Sequence, residues 1–287
     1  MTTQLTRLLD NLACPTCATA FRREGDRVVC DGCSRAARIA NGAVIFDGRG
    51  SETRDGWLLA LKERVKRAAP GFYRWLIAAV SPVHSIDVAA PLFAEIDPST
   101  HFIIDYGSGP IRLHPDVINV DITPYRGVDL VVGGTPLPLR DGCADAIVSV
   151  AVLEHVGDPF NVVAEFERLL KPGGSVHAYV PFMQGVHAAP DDFQRWTPHG
   201  LEKLFDRFDD RRVVVAAGPT SALVWMLQEW FAIAFSFGSR ALYRLLYVIG
   251  FVFSPLKFLD AALRHHPMAS NIASGYLLTA RKPRAVE

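Results

Sequence analysis

His101-Phe-Ile-Ile-Asp-Tyr-Gly-Ser-Gly-Pro110 decides the reading of the fold. Its apolar residues read as a buried parallel strand, followed at once by an acid, Asp105, and two glycines, Gly107 and Gly109. Glycine at the end of such a strand lets backbone approach a ligand that side chains would hold away. Twelve residues past Gly109, a second apolar run, Val117-Ile-Asn-Val, ends in Asp121. A carboxylate there can accept two hydrogen bonds from a ribose diol. Strand, glycine turn, strand and acid make the nucleoside-binding half of a doubly wound α/β sheet. Taken alone, Gly-x-Gly after a strand is also what an ordinary tight turn looks like.

The downstream residues are more specific. Leu137-Pro-Leu-Arg-Asp-Gly-Cys-Ala-Asp-Ala-Ile-Val-Ser leads into Val152-Leu-Glu-His-Val, and then Leu169-Leu-Lys-Pro-Gly-Gly-Ser-Val. In that order and spacing, residues 100–218 and the final strand resemble the class I S-adenosylmethionine-dependent methyltransferases, in the type 11 group related to small-molecule and lipid methylases. The resemblance implies a Rossmann-like sheet of seven mostly parallel strands and S-adenosylmethionine as cofactor. Spacing alone would also admit a nicotinamide or another nucleoside.

The resemblance also implies roles. Asp105, Gly107, Ser108 and Gly109 form the loop facing the methionine part, with Asp105 near its ammonium group. Asp121, with Ile122 beside it, holds the ribose hydroxyls, and Val150 lines the transfer site at the end of strand four. Where relatives often place an acid for the adenine amino group, this chain has Gly133-Gly134, whose backbone would have to substitute. Two further departures are Ile111 in place of a third glycine and a first helix reduced to a turn.

Methyl transfer mainly requires alignment of the acceptor and exclusion of water, with a base where the acceptor carries a proton. His155, after strand four, is one candidate base; in the resembled family this position more often shapes the pocket. His187 and Asp191 fall in a polar, aromatic-bearing loop after strand five, Pro181 to Thr197. In that loop Asp192 and Arg195 either fix the structure or bind acceptor. Thr197-Pro198 predicts a capped helix start. Asn161–Leu170 predicts an amphipathic helix stopped by Pro172-Gly-Gly174.

Cys14-Pro-Thr-Cys17 and Cys30-Asp-Gly-Cys33 are two Cys-x-x-Cys turns twelve residues apart. Four thiolates so spaced can close a tetrahedral Zn²⁺ site with no open position, hence a structural one. The first 48 residues thus read as a zinc ribbon, residues 49–98 as linker and capping helices, and residues 99–287 as the catalytic domain. Cys143 reads as a small buried residue.

The chain has 287 residues, 49% hydrophobic, and a formal net charge of zero, which argues against a generally basic nucleic-acid binder. Its first 75 residues nevertheless hold 13 Lys/Arg against 8 Asp/Glu. The N-terminus lacks the apolar core of a signal peptide, so a cytoplasmic location is expected. Between strands six and seven, residues 220–272 form a strongly apolar insertion, interrupted by Glu229 and Arg244. It reads as helices lying in a membrane interface, with Arg240, Arg244 and Lys257 toward anionic headgroups, or else as a lid or dimer face.

Three functions are compatible with these features. The first is a methyltransferase for a hydrophobic, lipid-linked or glycan-intermediate acceptor, peripheral at the inner membrane surface through 220–260. The second is an RNA base methyltransferase anchored by the ribbon, and the third an inactive binding or regulatory subunit that keeps the fold.

Overall fold

The computed structural model describes residues 3–46, 81–187 and 191–284. The linker over 48–56 and the helices read from Trp57 to Val80 lie outside the described residues.

The 101–110 stretch forms β5, Ile103–Tyr106, with Ile103 and Ile104 fully buried. Alternate residues of a strand face opposite sides, and both sides here are covered. Ile104 packs with Ile118, Val120, Ile147 and Phe166, while Ile103 packs with Val117, Val148 and Leu277. That double burial explains the near-continuous apolar runs of the central strands.

After helix α1 (Thr3–Leu9), strands β1 (Phe21–Glu24), β2 (Arg27–Cys30), β3 (Ala36–Ala40) and β4 (Ala43–Ile45) form an antiparallel meander. Asn41 and Gly42, with φ of 53° and 83°, make the tight turn from β3 to β4, the type of turn that Asn-Gly favours. Helix α2 (Ala90–Glu95) precedes β5; β6 (Ile118–Asp121), β7 (Leu130–Val131) and β8 (Ala144–Val150) follow. Next come α3 (Pro159–Leu169), β9 (Leu170–Pro181), α4 (Pro198–Leu204) and β10 (Asp209–Ala217). The chain closes with β11, Gly275–Arg281.

All strands join one sheet in the order β1-β2-β3-β4-β7-β6-β5-β8-β9-β11-β10. From β7 to β9 the strands run parallel, and β11 returns antiparallel between β9 and β10. The seven strands β5 to β11 are extended to eleven by the four short strands of the front segment. The reason is that β4 pairs parallel with β7, Val44 opposite Leu130 and Ile45 opposite Val131. Leu5, Leu8 and Leu12 of the front segment also enter the main core. Strand order reverses beside β5, whose neighbours β6 and β8 lead away in opposite directions, which opens a crevice at the strands' C-terminal ends.

Two local expectations change. Helix α3 begins with Asp158 capping the Asn161 N–H at 3.1 Å and ends at Leu169. Lys171-Pro-Gly-Gly174 lies inside β9 rather than in a terminating loop, because Leu170 already pairs with Ala144. As expected, the chain after Gly109 forms a turn and no helix; Arg112 holds it down, bonding Asp129 Oδ2 at 2.8 Å and the Val117 carbonyl at 2.6 Å.

Between β10 and β11 the chain forms α5 (Pro219–Phe235), α6 (Arg240–Ile249), a 3₁₀ segment (Gly250–Leu259) and α7 (Asp260–Leu263). Buried Asp260 accepts from Thr220 N and Ser221 N, both at 2.8 Å, and so caps the start of α5. Arg240–Leu263 is long and apolar enough to cross a membrane by length and composition. Leu223, Met226, Trp230 and Ile233 form an exposed stripe on α5 at helical spacing, and α6 buries no residue. Arg240 and Arg244 are exposed, but Lys257 is not: it turns inward and donates to the Ser81 carbonyl. A headgroup contact for Lys257 is therefore ruled out by its burial.

Candidate functional site

Gly107 and Gly109 both adopt positive φ, 72° and 58°, which favours glycine. At Gly107 a Cβ would lie 2.4 Å from Val152, so this glycine also admits the chain beyond β8. At Gly109 and Gly134 no atom lies within 4 Å of such a Cβ, and both face open space. Gly133 and Gly134 are exposed just past β7.

Asp105 is 3% exposed, and its carboxylate accepts no hydrogen bond from the described residues. Burial, then the negative charge of Asp121, pushes it up to about 7. A buried acid in that condition is stabilised in its charged form by a cation, and an ammonium group would fit. Asp121 Oδ2 accepts from Gly109 N and its Oδ1 from Thr123 N, each at 2.8 Å, with Ile122 half-buried between. The tip of β6 thus braces the glycine loop and keeps further carboxylate lone pairs for a diol. Ser108 is half-buried in the loop, and Val150 is exposed at the end of β8.

Beyond Val150, Ala151 takes φ 55° and turns the chain into a single 3₁₀ turn, Leu153–His155. Glu154 in that turn is fully buried, and neither of its carboxylate oxygens has a hydrogen-bond partner. His155 Nε2 lies 3.7 Å and His187 Nε2 3.8 Å from Glu154 Oε1. The imidazoles meet edge to face at 5.3 Å between centroids, and Trp225 of α5 lies 5.7 Å beyond His187. Glu154 raises the proton affinity of His187, against the opposing effect of burial.

The loop after β9 brings His187 to this place. Gln184 Nε2 bonds Ser274 O and Oγ at 3.1 Å, the Phe193 N–H bonds Glu154 O at 2.8 Å, and Gln194 Nε2 bonds Val156 O at 2.8 Å. Arg195 pairs with Asp192 and holds that acid well below the usual carboxylate range. Asp192 in turn accepts the His187 N–H at 2.9 Å. Asp192 and Arg195 therefore fix the loop. Thr197 caps α4 through the Gly200 N–H, as its position predicts.

Of the three candidate bases, His155 and His187 come together and Asp191 joins them differently. Its side chain is exposed, while its main-chain carbonyl accepts the His155 Nδ1–H. Two members of the cluster had no assigned role from sequence. Glu154 is adjacent to His155, and that adjacency was the available signal. Trp225 comes from the apolar insertion, and no local pattern marks it.

The four ribbon cysteines have sulfurs all within 4.8 Å of one another. Cys14–Cys33 and Cys17–Cys30 approach to 3.5 and 3.3 Å, far beyond a disulfide bond and near the sulfur spacing of a tetrahedral thiolate site. Cys143 is buried, as expected. A separate cavity of about 420 Å³, lined by Arg7, Arg140, Asp141, Asp145 and Lys171, lies at the opposite, N-terminal ends of β5 and β8.

Residues 111–178 match the methyltransferase domain family. Uncharacterized methyltransferases of Mycobacterium sp. strains KMS and JLS are 32% and 30% identical over 97 residues, covering 28% of this chain. The matched region spans only 38% of the length of those curated relatives. Among solved structures, Haemonchus contortus phosphoethanolamine N-methyltransferase 2 has a TM-score of 0.44 at 16% identity, covering 69% of this chain and 52% of that one. Geranyl diphosphate C-methyltransferase from Streptomyces coelicolor has a TM-score of 0.39 at 12% identity, covering 64% and 70%. Likenesses this distant carry nothing about substrate. The matched segment and the strand order around it are those of a class I methyltransferase domain, with its Rossmann-like α/β fold.

Proposed function

We propose that this protein is an S-adenosylmethionine-dependent methyltransferase acting on a hydrophobic, lipid-linked or glycan-intermediate acceptor at a membrane surface. The observation that carries the reading is Asp105: a buried carboxylate, without a hydrogen bond from the described residues, beside an open glycine loop and one strand from Asp121. When bound, S-adenosylmethionine supplies a methyl group already activated on a sulfonium. Asp105 offsets the ammonium charge, Asp121 accepts from the ribose hydroxyls, and the backbone at Gly133-Gly134 takes the adenine edge. The acceptor lies beyond β8, where the proton of a protic acceptor passes to His187 Nε2 with His155 and Glu154 alongside.

A hydrophobic acceptor is supported by the insertion. Trp225 on α5 forms one wall of the histidine cluster, and the same helix carries the exposed Leu223, Met226, Trp230 and Ile233. An apolar surface of this kind suits a membrane interface rich in cytoplasmic lipid-linked substrates. The four cysteines we assign to a structural Zn²⁺.

Labelled cofactor incubated with fractionated cell extract tests the reading. Label is expected in the lipid fraction, and entry into RNA alone would favour the ribbon-anchored alternative. Co-sedimentation with anionic vesicles is expected to weaken in Trp230→Ser/Ile233→Ser; a protein that leaves vesicles in the supernatant loses the membrane part of the proposal. Absence of any calorimetric cofactor binding would leave the inactive-subunit reading.

A further inference from the structure

We propose that Glu154, His155 and His187 bind a divalent transition-metal ion of the zinc class, at a second site distinct from the four-cysteine cluster. One ligand atom from each of the three side chains lies within 4.8 Å of the other two. Glu154 Oε1 stands 3.7 and 3.8 Å from the two Nε2 atoms, beyond hydrogen-bond reach of either. Ligands on a tetrahedral zinc at about 2.1 Å sit about 3.4 Å apart, so both carboxylate–imidazole distances lie within a few tenths of an ångström of that spacing.

The buried acid is the second, independent observation. A carboxylate with both oxygens unpartnered and no exposure costs free energy unless something positive meets it. The neighbouring cation, Arg195, places both terminal nitrogens on Asp192 and acts on Glu154 only through its charge, with no hydrogen bond to it.

The imidazoles are also preset as ligands. A carbonyl oxygen only accepts, so the bond to Asp191 O places the His155 proton on Nδ1; at His187 the Gly185 carbonyl at 3.0 Å favours the same tautomer over the longer Arg195 Nη2 contact at 3.4 Å. Each Nε2 then keeps its lone pair toward Glu154. Metal-bound histidines are held in this way, by a carbonyl on the far nitrogen. Two imidazole nitrogens and one carboxylate oxygen suit Zn²⁺, Co²⁺ or Fe²⁺ better than Mg²⁺ or Ca²⁺, which prefer oxygen alone. Three protein ligands leave a coordination position open.

The cluster follows directly on the end of β8, two residues after the Val152 side chain that Gly107 approaches. The use made of the open position rests on the methyltransferase reading: with an ion present, the cluster would hold an acceptor oxygen and lower its pKa, so that its proton would leave to solvent water rather than to His187 Nε2. Ion binding itself does not rest on that reading.

Elemental analysis after dialysis against dilute zinc tests the site. Wild type is expected to hold two equivalents, and Glu154→Gln and His187→Ala one each, the ribbon zinc remaining. One equivalent in wild type, or two in the variants, would overturn the proposal. If a variant fails to fold, zinc X-ray absorption on wild type decides: a mixed sulfur and nitrogen/oxygen shell is expected, and an all-sulfur shell refutes it. S-adenosylmethionine binding, followed separately by calorimetry, keeps failure of the ion site apart from failure of the methyltransferase reading.

Discussion

The Gly109 backbone donates its N–H to Asp121 Oδ2 at 2.8 Å, so the acid ending β6 holds the loop that ends β5. The shape of the glycine loop therefore depends on the carboxylate to which we assign the ribose hydroxyls. Asp121→Ala is expected to weaken S-adenosylmethionine binding more than tenfold, since a hydrogen bond to a charged group contributes about 1.5–3 kcal/mol. Titration calorimetry of the variant against wild type measures it.

With Asp105 in its proposed place beside the ammonium group, cofactor affinity should be pH-dependent. Its value near 7 lies above the ordinary 3.8, so the empty fold favours the protonated form. That contribution to stability is fully present below about pH 4 and is lost as pH rises through 7. A bound ammonium reverses the preference. Affinity should rise about tenfold per pH unit up to about 7 and then level off, with proton uptake or release visible in buffers of different ionisation enthalpy. Asp105→Asn should flatten the profile and raise the melting temperature of the empty protein at pH 8 but not at pH 4.

Gly107→Ala combines an unfavourable φ with a methyl group 2.4 Å from Val152. A loss of roughly 1–3 kcal/mol is expected, the range of core overpacking. Val152→Ala in the same chain should recover part of it by relieving the contact, though not the backbone strain. Denaturant unfolding of both variants decides this.

Trp225→Ala should raise the acceptor KM about tenfold while leaving cofactor affinity unchanged, since its ring touches His187 and not the glycine loop. An equal loss of both affinities would place the insertion outside the acceptor site.

Chelation of the zinc proposed for the four cysteines should lower the melting temperature of the whole protein in one transition, because Leu5, Leu8 and Leu12 share the main core. Two separate calorimetric transitions would contradict that coupling.

What the sequence made legible was local chemistry. The glycine turn after β5, the acid ending β6, the Thr197-Pro198 helix start and the paired Cys-x-x-Cys turns each carry their reason in adjacent residues. What it hid depended on distant partners. Trp225 reaches His187 only because α5 folds back over the loop after β9, and Lys257 faces inward only because the Ser81 carbonyl lies there. Lys171-Pro-Gly-Gly174 looked like a stop because its continuation as a strand is imposed by β8 and β11. Asp191 was chosen for its acid, whereas the fold uses its carbonyl.

The pairing of β4 with β7 bears on how the protein can be handled. Val44 N–H bonds Asp129 O at 2.8 Å and Phe46 N–H bonds Val131 O at 3.0 Å, so the ribbon satisfies backbone that would otherwise be a bare sheet border. Trimming the front segment to obtain a minimal catalytic fragment would uncover sticky β7 and strip three leucines from the interior. A truncation that aggregates would then report that damage, and would say nothing about binding by the front segment.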